Sequence, residues 1–105
     1  KGLEMSNNVF VKSGRVSDLL TTATTATGDW KFKDAPKAAI QVVATASATV
    51  VFEVSNDGTN AVATTLGTVT LAAAGSDGFT TDSPWKYIRA RVTANSGTVT
   101  VTMSV

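Results

Sequence analysis

Between Thr98 and Val105 the sequence TVTVTMSV alternates with a period of two. Val99, Val101, Met103 and Val105 fall on one side, and Thr98, Thr100, Thr102 and Ser104 on the other. Successive side chains of an extended chain point to opposite faces, so this run reads as a strand with one buried and one wet face. The same alternation precedes it, where Ile88, Ala90 and Val92 share one face and Tyr87, Arg89 and Arg91 the other. Asn95-Ser96-Gly97 lies between the two runs as a short Gly-containing turn, and the pair is expected to form a hairpin.

The pattern extends backwards along the chain. In Ala48 to Ser55, Val50, Phe52 and Val54 alternate with Thr49, Val51 and Glu53. Asn56-Asp57-Gly58-Thr59-Asn60 follows, a turn whose Asn, Asp and Gly accept left-handed backbone, and a second hairpin returns through Ala61 to Leu71 with Gly67 as a bulge. Ala38 to Ala44 is a further strand. Ala72 to Gly78 reads as a small-residue loop, and Phe79 to Asp82 leads to Pro84, which marks a strand start. The N-terminal third is less regular. Val9 to Val11 and Leu20 to Thr27 are candidate strands, the latter Thr-rich and suited to an edge; Gly28-Asp29 breaks it before Trp30, and Asp34-Ala35-Pro36 is a turn.

No window of a dozen residues places apolar side chains at a helical period, and turn signals recur about every ten residues. The expectation is a single all-β domain over residues 5–105, an antiparallel, jelly-roll-like β-sandwich of seven or eight strands. Lys1 to Glu4 precede Met5 and are expected to be a remnant foreign to the native chain.

Nine Lys and Arg against eight Asp and Glu give a net charge of +1, so no basic field attracts nucleic acid. No apolar run approaches the roughly 20 residues that span a bilayer, so membrane insertion is not expected, and the chain reads as soluble. The 105 residues contain no Cys and no His, which removes the commonest metal ligand and the commonest general base. The hydroxyls have no His to activate them; a Lys could serve as the base, but nothing in the sequence marks one as desolvated. The acids Glu4, Asp18, Asp29, Asp34, Glu53, Asp57, Asp77 and Asp82 mostly sit at turns, where Asp caps backbone groups. Catalysis, a cofactor and a metal site are accordingly not expected. Oxygen ligands for calcium crowd Asn56, Asp57, Thr59 and Asn60, and again Ser76, Asp77 and Asp82, but neither set has the spacing of a calcium loop.

Five residues carry the candidate binding chemistry: Trp30, Trp85, Tyr87, Arg89 and Arg91. Two roles fit the tryptophans. An exposed ring is a platform for stacking sugars, whereas a core of Ala and Val needs a few large side chains to close its two ends, and the second role is favoured. Tyr87 belongs to the surface or to a subunit contact. Arg89 and Arg91 on one strand face suit an anion site or an intersubunit ion pair, or a solvated face that guards the strand against aggregation, the last being the plainer reading.

From Ala39 to Val105 the phrases VVFEVSNDGTN and TTLGTVTLAAAGSDGFTTDSPWKYIRARVTANSGTVTVTMSV resemble small β-sandwich virion proteins of tailed bacteriophages, of the tail-fibre or capsid-decoration type. PWKYIR is also similar to a phrase of discoidin-like jelly rolls, but this chain is too short for that family and lacks its cysteines. The phage resemblance implies a non-enzymatic structural or adhesive part of the virion, preferentially tail-fibre or tail-associated. It implies a homo-oligomer, a trimer if a tail fibre, that contacts other virion proteins and host surface polysaccharide. A capsid-decoration protein is the close variant, and a carbohydrate-binding module using Trp30 or Trp85 is the alternative from another class.

Overall fold

The chain forms nine strands and no helix among the described residues, which in the computed structural model are 16–33 and 35–105. They are β1 (Val16–Thr22), β2 (Ala26–Thr27), β3 (Lys31–Phe32), β4 (Ala38–Ala44), β5 (Ala48–Ser55), β6 (Gly67–Leu71), β7 (Gly75–Thr81), β8 (Tyr87–Asn95) and β9 (Val99–Ser104). The expected strand at Val9 to Val11 and the junction at Met5 lie outside the described residues.

All pairings are antiparallel. One sheet has the order β1-β9-β4-β7, and the other the order β2-β8-β5-β6, with β3 also on β8. β2 and β3 are one interrupted strand: between and beyond them Gly28 N donates to Ala90 O at 2.8 Å and Lys33 N to Lys86 O at 2.7 Å. Counted so, eight strands pair in nested fashion, β1 with β9, β2/β3 with β8, β4 with β7 and β5 with β6. That is a long two-stranded ribbon rolled onto itself, the arrangement of a double-sheet jelly roll.

Apolar alternation sets the register. Ala38, Ile40, Val42 and Ala44 of β4, Ala48, Val50, Phe52 and Val54 of β5, Ile88, Ala90 and Val92 of β8, and Val99, Val101 and Met103 of β9 all face inward and are buried. A slip of one residue in any of these strands would turn its whole apolar set to water. Phe52 and Phe79 meet edge to face across the two sheets, with ring centroids 5.3 Å apart.

The hairpin expected between β8 and β9 does not form. β8 pairs in one sheet and β9 in the other, so Asn95-Ser96-Gly97 carries the chain around the side of the sandwich. The β4–β5 link does the same beside it. The two bends are tied by Thr45 N to Thr98 O at 3.0 Å, Ser96 N to Ser47 O at 3.0 Å and Thr98 N to Thr45 Oγ1 at 2.8 Å. A polar Gly-containing turn satisfies its own backbone equally well in a hairpin or a corner; here Asn95 Oδ1 accepts from Gly97 N at 3.0 Å.

The β5–β6 hairpin does form, and Gly58 in its turn adopts φ of +70°. Gly67, expected as a bulge, instead opens β6 opposite Phe52, and the Phe79 ring lies 3.3 Å from where a Cβ would project. The bulges fall elsewhere, at Leu19 in β1 and at Thr93 in β8. The loop expected over Ala72 to Gly78 is strand from Gly75 onward. Gly, Ser and Asp have little strand propensity, and the ladder to β4 holds them there. The Thr-rich run expected over Leu20 to Thr27 splits, with β1 forming the edge of one sheet and β2 the edge of the other. β8 begins three residues after Pro84, close to the expected start.

Candidate binding face

β8 runs between β5 and the interrupted β2/β3 strand, so its outward residues stand in the middle of a sheet face. Tyr87 lies opposite Ser55 and Phe32, Arg89 opposite Glu53, and Arg91 opposite Val51 and Thr27. Glu53 is the residue that organises this face. Its carboxylate accepts from Arg89 Nε at 2.7 Å through one oxygen and from Arg91 Nε at 3.3 Å through the other. Sequence reasoning missed that partnership, since Glu53 and the arginines lie far apart along the chain, and only the β5–β8 register brings them together. Both arginines are thus ion-paired within the chain while their side chains stay partly exposed, so the pairing adds to the reading of a solvated face.

Trp30 belongs to this face and not to an end of the core. The Arg89 guanidinium lies over its ring, 4.4 Å from the centroid, a cation–π contact. Both tryptophans are half-buried, but Trp85 packs against the core as expected. Phe32 was not singled out from sequence, although it stands out here. It is 57% exposed and meets Tyr87 edge to face at 5.5 Å. Behind them, the Tyr87 ring lies 3.2 Å from where a Cβ would project at Gly58, so the glycine lets the ring settle on the turn. Four of the five expected residues thus share one surface with Phe32 and Glu53, and Trp85 stands apart from them.

Asp57 and Lys33, away from this face, have structural partners. Asp57 accepts from Ser55 Oγ at 2.7 Å, from the backbone N of Thr59 and Asn60 at 2.8 Å each, and from Asn60 Nδ2 at 2.9 Å. The Ser55 hydroxyl above all, then the Asn60 and Thr59 donors, hold its carboxyl well below the usual carboxylate range. The oxygen cluster at residues 56–60 therefore ties the turn together. Lys33 is buried, and its Nζ donates to the carbonyls of Ala35, Pro36 and Ser83 at 2.7, 3.0 and 2.5 Å. Burial, and secondarily the nearby Lys86 charge, lower its pKa. Among the described residues no group of three or more carboxylates converges on a point where a metal ion would sit.

Two concavities flank the sheets. One of about 590 Å³ lies along the ends of β4, β7 and β9, lined chiefly by Ala38, Ala39, Thr80 and Val105. The other, of about 310 Å³, is walled by Phe32, Pro36, Pro84 and Lys86 and adjoins the aromatic face.

No protein-family model and no curated protein sequence matches the chain. Solved structures that share its fold include two that superpose over most of this chain. The SPBc2 prophage-derived protein YomS superposes with a TM-score of 0.69 at 11% identity, over 86% of this chain and 89% of YomS. The PBSX exported protein XepA superposes with a TM-score of 0.67 at 19% identity, over 88% of this chain. The chain spans 37% of XepA's length. At these identities the likeness is one of fold.

Proposed function

We propose that the chain is a structural protein of a bacteriophage virion, tail-fibre or tail-associated, that works by binding its neighbours and the host surface and not by catalysis. The observation that carries this reading is the fold held in common with a prophage-derived protein over nearly the full length of both chains. The side-chain chemistry agrees with it. Glu53, Asp57 and Lys33 are each engaged in holding the fold, and the face around Trp30, Phe32, Tyr87, Arg89 and Arg91 offers surface for contact. Among the described residues the core is mostly Val and Ala with one fully buried Phe, and such a core gains from subunit burial, which favours a homo-oligomer, a trimer in the tail-fibre case.

Immunogold electron microscopy of purified particles tests the location. Label on the tail is the expected result, label on the head selects the capsid-decoration variant, and absence from particles overturns both. Light scattering tests assembly, with the expected mass three times the 10.8 kDa of one chain.

A further inference from the structure

We propose that the outer face of the five-stranded sheet binds an anionic polysaccharide, with one sugar ring seated on Phe32 and Tyr87 and the carboxylate or phosphate of a neighbouring sugar of the same polymer on Arg89 and Arg91. This rests on the reading of the chain as a binding module and deepens it by naming the ligand class. The charge balance of the cluster comes first. Two guanidiniums share one carboxylate, which leaves one positive charge uncompensated within the cluster. Glu53 engages only the Nε edge of each arginine, and among the described residues no side chain or carbonyl accepts from their Nη groups. The Arg91 side chain is 39% exposed and that of Arg89 25%, so these outer edges face solvent. A guanidinium edge of that kind matches the two oxygens of a carboxylate or phosphate.

Preorganisation comes second. Trp30 beneath Arg89 and Glu53 between both arginines hold the donors in place before a ligand arrives, so little side-chain freedom remains to be lost on binding. The aromatic platform comes third. Phe32 presents an exposed ring braced by Tyr87 and also walls the cleft formed with Pro36, Pro84 and Lys86, where one ring edge would enter. Along the strand, Arg89 stands roughly 7 Å and Arg91 roughly 13 Å from Tyr87, so platform and anion site follow one line. An extended polymer fits that line, and a lone small anion would use only half of it.

Isothermal titration against polygalacturonate, a phosphodiester-linked hexose polymer, neutral dextran and poly-L-glutamate tests the proposal. One or both anionic polysaccharides bind, more weakly as salt rises, with dextran and poly-L-glutamate at least about tenfold weaker. Which of the two binds distinguishes carboxylate from phosphate. Arg91→Gln and Phe32→Ala each weaken binding by about tenfold with Tm within a few degrees of the parent. Equal binding of dextran would reduce the face to a neutral aromatic platform, and equal binding of poly-L-glutamate would reduce it to unspecific charge. Either result, or no binding of both anionic polysaccharides, overturns the proposal. None of these results touches the particle location, which immunogold labelling decides separately.

Discussion

At the scale of single residues, the polar side chains of this domain act as ties between segments that the ladders leave loose. Asp57 is the clearest case, an exposed carboxylate that collects donors from Ser55, Thr59 and Asn60 around one turn. Its pKa in the folded chain lies well below its ordinary value of 3.8, so its contribution to stability is fully present above that value and is lost progressively as pH falls from it through the lower folded-state pKa. Differential scanning calorimetry from neutral to strongly acidic pH is expected to show Tm of the parent falling below about pH 4. In Asp57→Asn that part of the slope disappears. Lys33 plays a comparable role at the other end, joining the Ala35-Pro36 bend to Ser83 through three carbonyls. Little of this was legible in advance. The turn at residues 56–60 was evident from its composition, but a lysine in a short polar stretch looks like any solvated lysine until the carbonyls that surround it are placed.

At the scale of elements, the paired corners and the edge strand carry the consequences. A Cβ at Gly97 would lie 2.4 Å from Thr45 Oγ1 and 3.1 Å from the Ala46 Cβ, so one bend is packed directly on the other. Gly97→Ala is expected to cost roughly 1–3 kcal/mol in urea denaturation. The cost should shrink in a Thr45→Ala background, where the clashing hydroxyl is gone, a coupling that a double-mutant cycle measures. If Gly97 instead sat in an open hairpin turn, the two substitutions would simply add. β7 is a sheet edge, and Asp77 pairs with the buried Val42, so its carboxylate stands on the core side of the sheet at an exposed position. An inward-pointing charge on an edge strand discourages pairing with other chains. Asp77→Val is therefore expected to aggregate faster on heating, followed by turbidity.

At the scale of the whole molecule, nested pairing joins the beginning of the described chain to its end, with Val16 opposite Ser104. The sandwich is thin in large side chains. Phe52 is the one fully buried aromatic among the described residues, and its edge-to-face contact with Phe79 spans from β5 in one sheet to β7 in the other. Phe52→Ala removes the largest core side chain where small neighbours cannot collapse into the gap. A loss of about 3–5 kcal/mol is expected, read as a lower urea midpoint with an unchanged slope. A surface substitution such as Phe32→Ala should leave that midpoint nearly unmoved.

The period-two alternation by itself determined the all-β class, the inward faces of β4, β5, β8 and β9, and the turn at Gly58, because each of these depends only on neighbouring residues. It also placed Tyr87, Arg89 and Arg91 on one outward face. Tertiary structure alone decided which strands pair, and with that the corner in place of a hairpin after Asn95, the strand at Gly75–Thr81, and the meeting of Glu53 with both arginines. The reason is physical. A strand's sequence specifies which side it buries, but its backbone donors and acceptors are the same in every strand, so partner choice is settled only when all the inward faces must close over one core.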